Sequence, residues 1–456
     1  MPAKKAVHLG VLGLAPGAHQ AAWRHPDCDP HAHMDLGFFR HLVETAERAK
    51  FDFLFLADLL GPIGADHNTP DVFERTPYGL LEPMTLLAAL STYTRHLGLV
   101  ATVSASVHGP YQIARVMGSL DLLSNGRAGW NVVTTQLQVQ KSLTTAPLAD
   151  KEAQYEHARE VVACAFDFWD GWHEDSFPRN KEDTRFVTLE GARPPNREGK
   201  YYRLNGPLNQ PRPPQGRPVI VQAGMSEIGR SLAADIADVV FTVQPNLESA
   251  KAFYKDIKER VARTGRDPET VRVLPGFSTY VGRTAEEARE LRERMTECLD
   301  PRASIGEIRY ISDIDLSGYD LDGPVPDLEP WREKARNTGF FHALQKIRAE
   351  NPGMTVRGML RHFSAGRGHQ EVVGSAQDVA DVIEQWVDEE ACDGLLIQPP
   401  LLPDDFERFA DLVVPELQRR GRFRTEYESD TLRGNLGLPV PTRWVTAVIP
   451  TRAPST

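Results

Sequence analysis

The feature that most restricts how this chain can fold is a regular alternation of short apolar runs with helix-length amphipathic stretches, from residue 6 to residue 398. Eight runs read as strands: AVHLGVLGL (6–14), FDFLFLAD (51–58), LGLVATVSA (97–105), GRAGWNVVTT (126–135), RPVIVQAG (217–224), DVVFTV (238–243), VRVLPGFSTYVG (271–282) and DGLLIQ (393–398). Several are apolar at successive rather than alternate positions, so both faces must be covered. Helical patterns fill the intervals. In residues 36–50, Phe39, Leu42, Val43 and Ala46 recur at i, i+3, i+4 and i+7, and Pro83 opens the next helix where a first turn tolerates it. Strands covered on both faces and joined by helix-length connections pair in parallel, because the crossover helices lie across the sheet. Eight such units predict an α/β fold closed into a (β/α)8 TIM barrel.

A bare barrel needs about 250 residues, and this chain has 456. The surplus is concentrated in residues 59–82 after the second strand, 172–216 after the fourth strand and its helix, 301–376 after the seventh strand, and a C-terminal extension over 421–456. We expect one domain spanning 1–456. The first three segments, rich in Gly and Pro, are expected to close over a site at the C-terminal ends of the strands, where barrel enzymes place their chemistry.

Charge and motifs then remove whole classes of function. A formal net charge of −11 excludes a nucleic-acid reader driven by phosphate attraction. No apolar run approaches the ~18 residues needed to cross a bilayer, so no membrane is expected and the cytoplasm is the expected compartment. Cys28, Cys164, Cys298 and Cys392 lie far apart without a CxxC, which reads as reduced structural thiols. His31 and His33 lack a carboxylate constellation, so no metal is expected. There is no GxGxxG after a strand, no GxxxxGK[ST] and no HExxH. The segment from Gly224 to Gly229 resembles a nucleophile elbow, but Ile228 stands where that motif needs glycine.

What the segment does offer is an apolar strand turning through Gly224 and Ser226 into a helix. A helix N-terminus presents free N–H groups and partial positive charge, and a serine adds a hydroxyl, so a phosphate fits there; Arg230 stands one turn in. Three other strand ends carry polar groups that a buried strand avoids. Asp58 ends the second strand; Thr102, Ser104 and Ser106 end the third; Asn131, Thr134 and Thr135 end the fourth. In a parallel barrel all lie near one rim and converge on one cavity. His19, His67 and His108 fall in rim loops, where any could serve as a proton donor.

The strings FDFLFLADLLG, EPMTLLAALSTYTRHLGLVATVSAS, SNGRAGWNVVTT and PQGRPVIVQAGMSEIGRSLAADIADVVFT together resemble the bacterial-luciferase-like flavin monooxygenases. The branch is the one containing nitrilotriacetate monooxygenase, dibenzothiophene sulfone monooxygenase, long-chain alkane monooxygenase and the larger chain of pristinamycin IIA synthase. The resemblance runs over almost the whole chain, including VPELQRRGRFRTEYESDTLRGNLGL. It implies FMN as cofactor, supplied as FMNH2 by a separate NAD(P)H:flavin reductase, with O2 as co-substrate, in a homodimer or homotetramer. By position, Asp58 and Ser104 match residues that contact the flavin, Tyr155 a tyrosine near its phosphate, and Ser226 the phosphate-binding serine. Thr102, Asn131 and Gly224 join the expected cofactor set. Lys151 stands where many members have histidine, and Thr135 where many have serine; Lys151 is expected to pair with phosphate. His19 is the candidate polar group facing flavin or substrate. The implied chemistry is oxidation of a C–N, C–S or C–H bond in a small organic molecule. The alternatives are a deazaflavin-dependent dehydrogenase of the same superfamily and a non-catalytic flavin-binding subunit.

Overall fold

A computed structural model describes residues 5–61, 70–77, 81–135, 137–190, 192–335 and 338–441. Its strands in chain order are β1 (His8–Leu12), β2 (Phe53–Leu56), β3 (Gly98–Ser104), β4 (Ala128–Val133), β5 (Asn196–Glu198), β6 (Arg203–Asn205), β7 (Val219–Gln222), β8 (Val239–Thr242), β9 (Arg272–Gly282), β10 (Gln370–Ser375) and β11 (Gly394–Ile397). Among the described residues, β1, β2, β3, β4, β7, β8, β9 and β11 pair in that order, all in parallel, and β11 returns to β1 to close the ring. These are the eight expected strands, each with its ends trimmed by one or more residues except at Gly282.

Closure follows from two-sided apolarity. Phe53, Phe55, Val100, Val219, Val221, Val239, Leu274 and Leu396 fill the barrel interior as one buried cluster. The alternate residues Leu54, Leu56, Leu99, Ala101, Trp130 and Ile220 pack outward with the helices. The helix Leu36–Arg48 buries the predicted stripe of Phe39, Leu42, Val43 and Ala46.

The surplus segments depart from expectation in three ways. First, 172–216 packs on a barrel helix. It holds the antiparallel hairpin β5–β6 and runs along the outside of the helix Lys151–Trp169, where Glu160 accepts the backbone N–H groups of Lys200, Tyr201 and Tyr202. It ends at the N-terminal end of the barrel, with Gln215 donating to Asp121 and to the carbonyl of Ala128, the first residue of β4. The physical reason is its place in the chain: it follows a helix, and a helix-to-strand connection returns to the N-terminal face. Second, the 301–376 segment ends on β10, which adds a parallel ninth strand to the outer half of β9. Third, residues 421–441 plug the bottom of the barrel. Leu432, Leu436 and Leu438 join the interior cluster, and Arg433 pairs twice with Asp238, at 3.0 and 2.8 Å.

Leu436→Ala is expected to cost about 2 kcal/mol, because it removes buried methyl groups at a barrel end that can partly relax; a thermal melt of the two proteins measures it. Of 59–82, residues 62–69 and 78–80, including His67, lie outside the described residues. Its short helix Pro70–Arg75 packs on the 301–376 segment, with Val72 against Gly306 and Arg75 3.1 Å from Asp300, the cap of the helix Pro301–Ser312. Among the described residues no helix is long and apolar enough to cross a membrane. The four cysteines are free thiols.

Candidate active site

Parallel strands end together, so the C-terminal rim collects whatever polar residues terminate β2, β3, β4 and β7. Thr102 and Asn131 stand opposite each other in register, and Asn131 Nδ2 donates to Thr102 Oγ1 at 2.9 Å. The other amide atom, Asn131 Oδ1, is buried without a partner among the described residues. An unmet buried acceptor costs about 1–3 kcal/mol, which a ligand N–H directed at it recovers. One step up the rim, the Ser104 and Thr135 hydroxyls lie 2.5 Å apart. The Thr135 carbonyl accepts from Gln154 Nε2 at 2.6 Å. Threonine thus makes the hydrogen bond a serine would make there, and its extra methyl is accommodated. Asp58 is half-buried just past β2. Burial raises its carboxyl above the ordinary value and Glu82 adds to this, while the Leu59 N–H and His108 oppose it.

The turn after β7 is built by close approach of backbone to backbone. A Cβ on Gly224 would fall 2.6 Å from Gly229 Cα, and one on Gly229 would fall 2.8 Å from Gly224 Cα and 3.1 Å from the Tyr155 hydroxyl. Only glycine at both positions lets the strand end press against the start of the helix Glu227–Ile236 and lets Tyr155 reach it. Ser226 caps this helix, its Oγ accepting from Gly229 N at 3.3 Å. The Ser226 hydroxyl proton is left to donate, and the first-turn N–H groups of a helix have no acceptor within it. The helix bearing Tyr155 is held against the turn by Arg159, which donates to Asp235 at 3.0 Å and to Ser231 at 3.2 Å.

The fold therefore brings Thr102, Ser104, Asn131 and Thr135 into direct contact as pairs, with Asp58 at the adjoining strand end, and sets the Tyr155 hydroxyl against Gly229, which itself presses on Gly224. Lys151 is exposed at the start of its helix, one turn before Tyr155, with Asp150 as the cap. Arg230 is engaged elsewhere: its guanidinium pairs with Asp256 at 2.8 Å and Glu227 at 3.2 Å.

His19 lies in the loop after β1, where its backbone N–H reaches the Pro400 carbonyl at 3.2 Å. Its Nδ1 accepts from the Ala21 N–H at 3.1 Å, so the neutral ring carries its proton on Nε2. Burial, with Arg367 and Arg292 adding, lowers its pKa to about 3. It is a neutral N–H donor at physiological pH rather than an imidazolium acid. Three polar strand ends escaped the sequence reading: Gln222, which accepts from Gly224 N at 2.6 Å, Gln244 after β8, and Gln398 after β11. The signal that picked out Asp58, a polar residue closing an apolar run, was present in VIVQ and LLIQ. Among the described residues no group of three or more His, Cys, Asp or Glu gathers as metal ligands would.

Comparison with known proteins places these features in context. A family profile described as luciferase-like monooxygenase matches residues 14–412. The chain is similar to N-acetyl-S-(2-succino)cysteine monooxygenase of Bacillus subtilis (strain 168), 43% identical over 96% of this chain and 98% of the relative. It is similar to nitrilotriacetate monooxygenase component A of Aminobacter aminovorans, 41% identical over 97% of this chain and 98% of the relative. Among solved structures, a riboflavin lyase with modified FMN and its substrate riboflavin superposes with a TM-score of 0.83, at 29% identity over 96% of this chain and 97% of that one.

Proposed function

Since the chain belongs to the luciferase-like monooxygenase family, we propose that it is the oxygenating component of a two-component system, taking reduced FMN from a separate reductase and using O2 to oxidise a small organic substrate. As a family member it is a flavin-dependent monooxygenase working with reduced flavin. Two relatives, of nitrilotriacetate monooxygenase and of pristinamycin IIA synthase, are each named as one part of a multi-component system, which supports a partner protein here. The observation that carries the reading is the glycine-lined turn after β7, where Gly224, Gly229, Ser226 and Tyr155 form a cradle beside the polar ends of β3 and β4.

The residues fit FMN. The phosphate would be held by the Ser226 hydroxyl, the first-turn N–H groups after it and the Tyr155 hydroxyl, with Lys151 able to swing in from solvent. Asn131 Oδ1, buried and unpartnered among the described residues, would accept an N–H of the ring system, and Ser104, held by Thr135, would stand beside it. The raised carboxyl of Asp58 would present a proton or an acceptor at the same rim. When bound, reduced FMN supplies two electrons and the activation of dioxygen that transfers one oxygen atom to substrate. The chain's part is to orient both reactants and exclude water. The helices Pro70–Arg75 and Pro301–Ser312, which pack on one another, belong to segments suited to covering the mouth.

Anaerobic titration with reduced FMN and with reduced deazaflavin, followed by reductase-coupled oxygen uptake against aminopolycarboxylates, sulfides, sulfones and alkanes, tests this. Tight binding of reduced FMN and substrate-dependent oxygen uptake are expected. Preference for deazaflavin, or FMN binding with no substrate-dependent uptake across the panel, overturns it. Ser226→Ala is expected to weaken FMN binding about 10-fold, the worth of one charge-assisted hydrogen bond.

A further inference from the structure

Opposite the flavin cradle, the mouth is bounded by the ends of β8, β9, β11 and β1, and a polar cluster there has no task in the proposed flavin site. At its base is Gly276 of β9. A Cβ on Gly276 would fall 2.1 Å from Gln398 Nε2 and 2.4 Å from His369 Nδ1, so the bare backbone makes room for both side chains. Gln398 Nε2 lies 3.0 Å from His369 Nε2. The His369 ring sits 5.6 Å from Phe241, which packs on the barrel interior.

Two residues before His369 stands Arg367, delivered by the 301–376 segment. It ends the helix Val356–Gly366 with φ of 46°, in the left-handed region, between Gly366 and Gly368. Glycine is the unstrained choice for such a turn, and the chain places a guanidinium there instead. Arg367 Nη2 is 2.7 Å from Glu307 Oε1, and Glu307 is buried. The pair orients the guanidinium and offsets the Glu307 charge, but Arg367 Nε and the second Glu307 oxygen, Oε2, both remain buried without a partner among the described residues.

His19 Nε2, which carries the proton of the neutral ring, is a second such donor, and Gln20 Nε2 is a third. The three belong to one contiguous structure. Gln20 Oε1 accepts from Ser304 at 2.8 Å, Ser304 lies one turn before Glu307 on the helix Pro301–Ser312, and Glu307 holds Arg367. Arg367 is close enough to help hold both His19 and His369 neutral. Buried donors without acceptors are costly and rare, and a cluster of them beside an arginine matches an oxygen-rich anion.

We infer that Arg367, together with the His19 Nε2–H, recognises a carboxylate on the substrate, so that the monooxygenase reading narrows to small organic acids oxidised at a bond away from the acid group. The inference rests on that reading for the word substrate, but the recognition itself does not need flavin.

Succinate and its neutral isostere succinamide are the probes, titrated by calorimetry into the wild type and Arg367→Gln. The wild type is expected to prefer succinate, and Arg367→Gln to bind it about 10- to 100-fold more weakly with no matching change for succinamide. If the single variant does not fold, Glu307→Gln with Arg367→Gln removes both charges and carries the same comparison. Equal affinity of the wild type for the two probes, including no binding of either, overturns the inference. So does equal affinity of both proteins for succinate. FMN titration of the same variants separates the two readings: unaltered FMN binding with lost succinate selectivity supports the subsite, whereas failure of FMN to bind the wild type removes the flavin reading alone.

Discussion

Gly224→Val is expected to reduce affinity for reduced FMN about 1000-fold, or about 4 kcal/mol, while leaving the barrel folded. Even a single Cβ at this position meets Gly229 Cα at 2.6 Å. The obstruction is backbone, so no side chain can rotate away, and the helix Glu227–Ile236 must shift as a body. Overpacking of this kind costs about 1–3 kcal/mol by itself. Displacing the helix start also pulls the Ser226 hydroxyl and the first-turn N–H groups from the phosphate, and each charge-assisted bond so lost is worth about 1.5–3 kcal/mol. Tyr155 provides an internal control, since its hydroxyl reaches Gly229 rather than Gly224. Tyr155→Phe should cost about 10-fold, far less than the valine. Flavin fluorescence titration on protein whose circular dichroism matches the wild type measures both. An unchanged FMN affinity in Gly224→Val would place the phosphate elsewhere.

The barrel was legible because a parallel strand buried on both faces leaves a run of apolar letters, and all eight such runs became barrel strands. β10 was not legible for the converse reason. Among the described residues Gln370–Ser375 pairs with β9 alone and keeps alternate side chains half-exposed, so its letters, QEVVGS, read as loop. The hairpin β5–β6 within 172–216 was not legible either, because its strands are three residues each and mostly exposed. At the site, Gly224 and Ser226 stood out because a strand, a glycine and a cap residue are adjacent in sequence. Arg367 and Glu307 did not, being 60 residues apart on a segment with its own small core of Ile314, Leu316, Phe341 and Phe363. The neutrality of His19 was equally hidden, since it arises from burial beside two arginines that only the tertiary fold assembles.

That burial has a measurable consequence in acid. His19 and His369 both have pKa values lowered to about 3, chiefly by burial, with Arg367 acting on each. In the unfolded chain a histidine titrates near 6.5. Each therefore contributes stability that is fully present above pH ~6.5 and is lost as pH falls toward 3. In that window each adds a slope of about 1.4 kcal/mol per pH unit. Two carboxyls run the other way. Burial raises Asp121 to about 6 and Asp405 to about 7. Above the unfolded value of ~3.9 the native state holds their protons and the unfolded state does not, so they favour folding more as pH falls to about 4.

Between roughly pH 6 and 4 the two pairs oppose each other almost fully, and wild-type stability is expected to be nearly flat. Below about pH 4 the carboxyls are protonated in both states and give no further help. The histidine slope is then unopposed, and it is joined by Asp52 and Asp238, whose carboxyls are lowered despite burial by Arg424 and His8 in one case and by Arg433 in the other. Stability should therefore fall steeply there. Substitution separates the contributions. His369→Asn is expected to tilt the pH 4–6 region by about 1.4 kcal/mol per pH unit toward greater stability in acid, and Asp405→Asn by the same amount in the opposite sense. Urea denaturation at half-unit steps measures the slopes. Because a slope is a difference between pH values, a uniform loss of stability from either substitution leaves it unaltered, and parallel curves for wild type and His369→Asn would mean that the ring is charged, or solvated, in the folded protein.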